Sequence, residues 1–195
     1  GIGKSTVVQI LAGKIRPNFE DFEHEYADIE IINKFKGNEM HKYMTSLYNS
    51  SLKVSIKVQH VDQLILFLKS KKSDVTVKEY LIKKIDKEYY DKETEFESSW
   101  YKTVVETLDL NTIFDYNVVT LSGGEAQKIL CAITLLTKAN VYIFDEPTNF
   151  LDIKQRLNIA SLIRKIIEMC PTAYVAVIEH DLAILDYLSD FTCVL

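Results

Sequence analysis

Cysteine, proline and glycine are all scarce in this chain, and each shortage removes a class of explanation. The three cysteines, Cys131, Cys170 and Cys193, lie far apart and form no C-x-x-C pair. Neither a disulfide framework nor a cysteine-built metal cage is expected, and reduced thiols in a cytosolic protein are. Six glycines and three prolines leave no composition for long flexible linkers. Basic residues do not dominate: 23 Lys and Arg against 28 Asp and Glu give a net charge of -5, so no global field draws in nucleic acid. Contact with RNA would need a local patch such as "KSKK" at 69–72, which a solvated loop explains equally well. The longest apolar runs, "LILFL" and "AYVAVI", are far too short to span a bilayer. Nothing resembles a signal peptide, and without an initiating methionine the sequence is expected to begin inside a longer protein. Internal repeats and low-complexity tracts are missing too. What remains is 195 residues, 47% hydrophobic and 26% charged, which suits one domain with room for an insertion.

The chain opens on "GIGKST", the second half of the phosphate-loop spacing G-x-x-x-x-G-K-[ST], with Gly3 in the sixth place. Val7, Val8, Ile10 and Leu11 follow at helical spacing and Gly13 ends the run, so a helix begins at the loop. Free N–H groups and the dipole at that helix start favour an anion. Residues 20–30 are strongly acidic and read as solvated. Two short amphipathic helices are expected next. One ends near Gly37, and the other starts after Asn38 as N-cap, with Met40, Tyr43, Met44 and Leu47 on one packing face. "LKVSIKV" alternates and reads as a strand ending at Gln59.

Thr76 and Glu79 form a capping box ahead of Tyr80, Leu81 and Ile85. Residues 86–97 show charge without periodicity and read as exposed. Trp100, Val104 and Leu108 mark a helix in which Trp100 anchors the core. In the last third, "VYIF" and "AYVAVI" flank the helical pattern of 153–169, a strand–helix–strand crossover that gives the class as α/β with a parallel sheet. "DE" follows the first run and "EH" the second, at the strand ends where open α/β sheets place ligands.

Singly, each motif has an ordinary explanation: Asp-Glu pairs cap turns, Gln59 is a turn residue, His180 a satisfied hydrogen-bonding group, and "LSGGE" at 121–125 a helix start capped by Ser122. Their joint order, "GIGKST", Gln59, "LSGGE", "VYIFDE" and His180, points to a nucleotide site.

This order resembles the ATP-binding cassette family over nearly the whole chain. The resemblance implies a P-loop fold with a helical subdomain carrying the signature, and an ATPase using ATP and Mg²⁺. It assigns phosphate binding to Gly1, Ile2, Gly3, Lys4, Ser5 and Thr6, with Ser5, Gln59 and Asp145 around the metal. Glu146 matches the base that polarises the attacking water, Gln59 the residue that senses Mg²⁺ and the γ-phosphate, and His180 the switch histidine. Ser122, Gly123, Gly124 and Glu125 would close over a nucleotide held by an opposing cassette, with Asp152 of "NFLD" at the seam. One cassette then supplies half of two sites, and hydrolysis reopens them.

"DEPTNFLD" is close to the "DEPTNHLD" of class F translation factors. "ILAGKIRPN", "FKGNEM", "KVQHVDQ", "LDIKQRLNIA" and "IEHDLAILDYLSDF" resemble the first cassette of the class E proteins, the RNase L inhibitor or ribosome-recycling ATPases. That branch implies a cytosolic two-cassette parent, iron–sulfur clusters outside this chain, and as partners ribosomal subunits and release-factor-like proteins, with no membrane. It also implies a helix-loop-helix insertion over about 20–52, whose Lys34, Lys36, Lys42 and Lys53 could meet ribosomal RNA phosphates. The helical subdomain would run over about 60–137 and the rest of the core over about 138–195. Three other readings stay open: a class F-like translation ATPase, a nucleotide-gated ribosome-binding module with little hydrolysis, and the motor domain of a transporter. A strand ahead of the phosphate loop would normally be central in the sheet, so residues 1–195 alone are expected to be unstable.

Overall fold

The computed structural model describes residues 3–49, 51–57, 61–70 and 74–190. A three-stranded, fully parallel sheet organises them, in the order β1 (Val54–Lys57), β4 (Val141–Asp145), β5 (Tyr174–Ile178). Ile56 sits beside Ile143, and Ile143 beside Ala176. The crossover from β4 to β5 runs through α8 (Ile153–Met169), as the spacing of the two apolar runs requires.

Strand alternation sends side chains to opposite faces and so divides the core in two. Val54, Ile56, Val141 and Ile143 pack with α1 (Lys4–Leu11), α2 (Asp28–Lys34) and α3 (Met40–Tyr48), through Val8, Ile32, Tyr43 and Met44. Tyr142 and Phe144 face the larger cluster, built from the helices that follow β1. Those are α4 (Val61–Ser70), α5 (Val77–Lys84), α6 (Ser99–Thr107), α7 (Gly123–Leu135), α8 and α9 (Leu182–Leu188). β4 is buried at all five positions, whereas β5 is only partly covered.

Local chemistry sets most helix ends. Thr76 accepts from Glu79 N–H at 3.2 Å while Glu79 accepts from Thr76 N–H at 3.0 Å, which is the expected capping box. Gly37, with φ of +84°, follows α2 in the left-handed conformation that glycine takes at no steric cost. Glu39 directly precedes α3, one residue later than the Asn38 cap expected, but Asn38 Oδ1 still accepts the Met40 N–H at 3.0 Å. Trp100 is buried, and its Nε1–H donates to the Leu135 carbonyl at 2.9 Å.

Two expectations change. The "LILFL" run, read only as too short to span a bilayer, lies in helix α4, and the first two residues of "KSKK", for which a loop was offered, are the last two of that helix. Residues 86–97 are not simply an exposed charged run. Tyr90–Asp91 (β2) pairs antiparallel with Phe96–Glu97 (β3), and Tyr90 packs on Tyr101 with ring centroids 5.1 Å apart. The half-buried aromatics at the hairpin's start find an apolar wall that only the folded α6 provides.

Candidate functional site

The ends of β4 and β5 and the start of α1 meet at one place. Gly3, with φ of +118°, turns the chain into α1, and Lys4 is the helix's first residue. Lys4 Nζ lies 2.7 Å from His180 Nε2 and 3.4 Å from Glu146 Oε1, and His180 Nε2 lies 2.7 Å from that same carboxylate oxygen. Residues 142 and 176 positions downstream thus close a triangle with the fourth. Glu146 is buried and also accepts from Asn149 Nδ2 at 2.7 Å. Its φ of +49° is rare for a residue with a side chain and costs about 1–3 kcal/mol unless the surroundings hold it.

The surroundings do hold it. Lys57 Nζ, from β1, donates to the carbonyls of Asp145 at 2.8 Å and Glu146 at 3.1 Å. Gln127 Nε2, from α7, donates to the Glu146 carbonyl at 2.7 Å, and Glu146 N–H donates to the Ile178 carbonyl at 2.8 Å. Burial pushes the Lys57 ammonium below its ordinary pKa, and the negative groups around it, Asp145, Glu146 and Glu179 among them, oppose that shift. Glu179 braces the histidine: it accepts from Thr148 Oγ1 at 2.6 Å and from His180 N–H at 2.9 Å.

The signature residues form a second feature. Ser122 caps α7, with its hydroxyl donating to Glu125 at 2.7 Å and its N–H at 2.8 Å. These hydrogen bonds, the hydroxyl's first, hold the Glu125 carboxyl below the usual carboxylate range. Gly123 and Gly124 lie under Phe150, and a Cβ on Gly124 would meet the Phe150 carbonyl oxygen at 2.9 Å. Glycine is needed there for the close approach alone. Asp152 caps α8, accepting from Gln155 N–H at 2.8 Å.

Of the residues singled out from the sequence, Lys4, Glu146 and His180 are brought together. Asp145 is buried at the end of β4, and Ser5 and Thr6 are exposed on the first turn of α1. Ser122 to Glu125 and Asp152 occupy helix starts. Gly1, Ile2 and Gln59 lie outside the described residues. Two of the four lysines named for RNA have partners within the chain: Lys53 pairs with Asp86 at 3.0 Å, and Lys34 lies 5.6 Å from the ring centroids of Phe19 and Tyr26. Lys57 and Gln127 were missed, and Glu179 was noted only as the first residue of "EH" at a strand end, without a role. Glu179 and Gln127 stand one and two residues from motif positions, which was the only available hint. Lys57 gave none.

A parallel sheet whose strand ends face a glycine–lysine turn at a helix start defines a P-loop α/β protein. The family model described as ABC transporter matches residues 1–149, and the chain belongs to that family. It is 40% identical over 195 residues to the translation initiation factor RLI1 of Chaetomium thermophilum, covering 100% of this chain and 30% of that protein. Among solved structures it is similar to the archaeal ribosome recycling factor aABCE1, seen with the ribosomal stalk protein aP1. That match has a TM-score of 0.78 at 39% identity, over 97% of this chain and 33% of that one. A model of ribosome-bound archaeal Pelota and ABCE1 gives a TM-score of 0.77 at 38% identity, over 97% of this chain and 29% of that one. The chain therefore spans about a third of the length of the proteins it matches. Among the described residues no helix is long and apolar enough to cross a membrane.

Proposed function

We propose that this chain is the first of two cassettes in a cytosolic translation ATPase, and that ATP binding and hydrolysis close and reopen the pair to split ribosomal subunits. The observation that carries the reading is the triangle of Lys4, Glu146 and His180 at the start of α1, in a member of the ABC family. The likeness to RLI1 and to ABCE1 bound with stalk protein or Pelota supports the choice of branch and of partners, namely ribosomal subunits and release-factor-like proteins. In this reading residues 20–52 are the insertion that meets the ribosome, 60–137 the helical subdomain and 138–195 the rest of the core.

The donor set suits a magnesium-bound triphosphate. A cation on the first turn of a helix faces a carboxylate and an imidazole, and Lys4 can exchange those partners for phosphate oxygens. Ser5, Asp145 and Gln59 would hold Mg²⁺, which supplies charge neutralisation between phosphate oxygens. Gly1, Ile2, Gly3 and Thr6 would complete the phosphate cradle. Glu146 accepts a proton from the attacking water, and His180, 2.7 Å from its Oε1, keeps that oxygen oriented. Ser122, Gly123, Gly124, Glu125 and Asp152 serve the nucleotide of the opposing cassette.

Glu146→Gln keeps the shape and removes the base. It is expected to lower ATP turnover of the full-length protein by about 10²-fold or more while ATP still binds. Unchanged turnover refutes the assignment.

A further inference from the structure

We infer that Lys57 and Gln127 are positioning residues that aim the Glu146 carboxylate by gripping its backbone; the inference rests on Glu146 being the base proposed above. Both are among the most buried polar side chains of the described residues, with exposures of 1% and 0%. Neither was marked out by a phosphate-loop, signature or switch motif. Lys57 sits at the last position of β1, beside Phe144 of β4, so its side chain reaches past the end of β4 to the two carbonyls that follow. Gln127 reaches the second of those carbonyls from the opposite element, one turn into α7.

With the Glu146 N–H held by Ile178, the polar backbone groups of Glu146 are tied to β1, α7 and β5 at once. Glu146 adopts φ of +49°, in the left-handed region that favours glycine, and such a conformation persists where neighbours over-determine it. That φ sets the direction in which the side chain leaves the backbone, and hence the 2.7 Å and 3.4 Å contacts of Oε1 with His180 and Lys4. A lysine at full burial is rare unless it has a job for its three donors. Here two of them meet consecutive carbonyls. Gln127 adds a mechanical link, since it stands five residues after Ser122 on the helix that the signature begins. A shift of α7 reaches the base through one hydrogen bond.

Simple satisfaction of buried carbonyls is the competing account, and it predicts lost stability and lost nucleotide binding alike. The test uses Lys57→Met in the full-length protein, in the wild-type and the Glu146→Gln backgrounds, with steady-state ATP hydrolysis and binding of a fluorescent ATP analogue. Lys57→Met is expected to lower kcat tenfold or more with KM and analogue affinity within twofold. In the Glu146→Gln background it is expected to change residual turnover less than twofold, because the group it aims is gone. An equal loss in both backgrounds, a KM that rises as far as kcat falls, or an unchanged kcat overturns the inference. If Lys57→Met fails to fold, Gln127→Glu, which turns a donor into an acceptor against the same carbonyl, carries the same measurements and the same criteria. Should Glu146→Gln itself leave turnover unchanged, it is the base assignment that fails, and the two failures are told apart.

Discussion

Gly123→Ala and Gly124→Ala make a matched pair from which the packing of the signature turn can be tested. Both residues open α7, so both substitutions gain helix propensity, up to about 1 kcal/mol in a helix interior and less in a first turn. Their surroundings differ. An added Cβ at Gly123 finds the Phe150 ring at 3.5 Å, an ordinary contact. At Gly124 it finds the Phe150 carbonyl oxygen at 2.9 Å and Leu151 Cδ2 at 3.6 Å. A backbone oxygen has no rotamer to retreat into, and Phe150 is already at φ of +63°. Overpacking of this kind costs about 1–3 kcal/mol. After the propensity gain, Gly124→Ala should come out about 1–2 kcal/mol less stable than wild type, or about 2–8 °C lower in Tm for a unit of this size. Gly123→Ala should stay near wild type. Calorimetry of the full-length protein, following the transition of this cassette, reads the difference directly. If Gly124→Ala melts no lower than Gly123→Ala, then the 2.9 Å approach does not govern this position and the glycine must be explained otherwise.

Two further outcomes follow from groups away from the triangle. Ser122→Ala removes the α7 cap and is expected to cost about 1 kcal/mol at neutral pH. Because the folded state holds Glu125 below its ordinary pKa, that contribution is complete above the ordinary carboxylate range and disappears as pH falls through the folded value. The variant should therefore lose less stability on acidification than wild type, and parallel denaturant midpoints across pH 6 to pH 3 (about the carboxylate range) would contradict this. Trp100→Phe deletes the donor to the Leu135 carbonyl, 2.9 Å away in the core. It should lower stability by about 1–3 kcal/mol with an unchanged denaturant m-value, and an unshifted midpoint would show that bond to be dispensable.

Features legible in the residues alone were those whose physics is short-ranged. A capping box needs two side chains three positions apart, so Thr76 with Glu79 and Ser122 with Glu125 could be read before any fold was known. A turn that needs positive φ asks for glycine, as at Gly3 and Gly37. The β4–α8–β5 crossover followed from run length and spacing. The candidate site was half legible in this way: the order of motifs named Lys4, Glu146 and His180, and nothing local said that they touch.

Tertiary structure decided what depends on which surface covers which. In "KVSIKV" the polar alternates ought to face water, yet Ser55 and Lys57 are buried, because β4 and α7 close over that face and the ends of β4 offer carbonyls to the ammonium. The hairpin at 90–97 formed because Tyr90 met Tyr101, a neighbour that exists only once α6 is in place. The grip of Lys57 and Gln127 on Glu146 joins residues up to 89 positions apart. Local propensity carries no record of such pairings, since their strength comes from burial, and burial belongs to the whole fold.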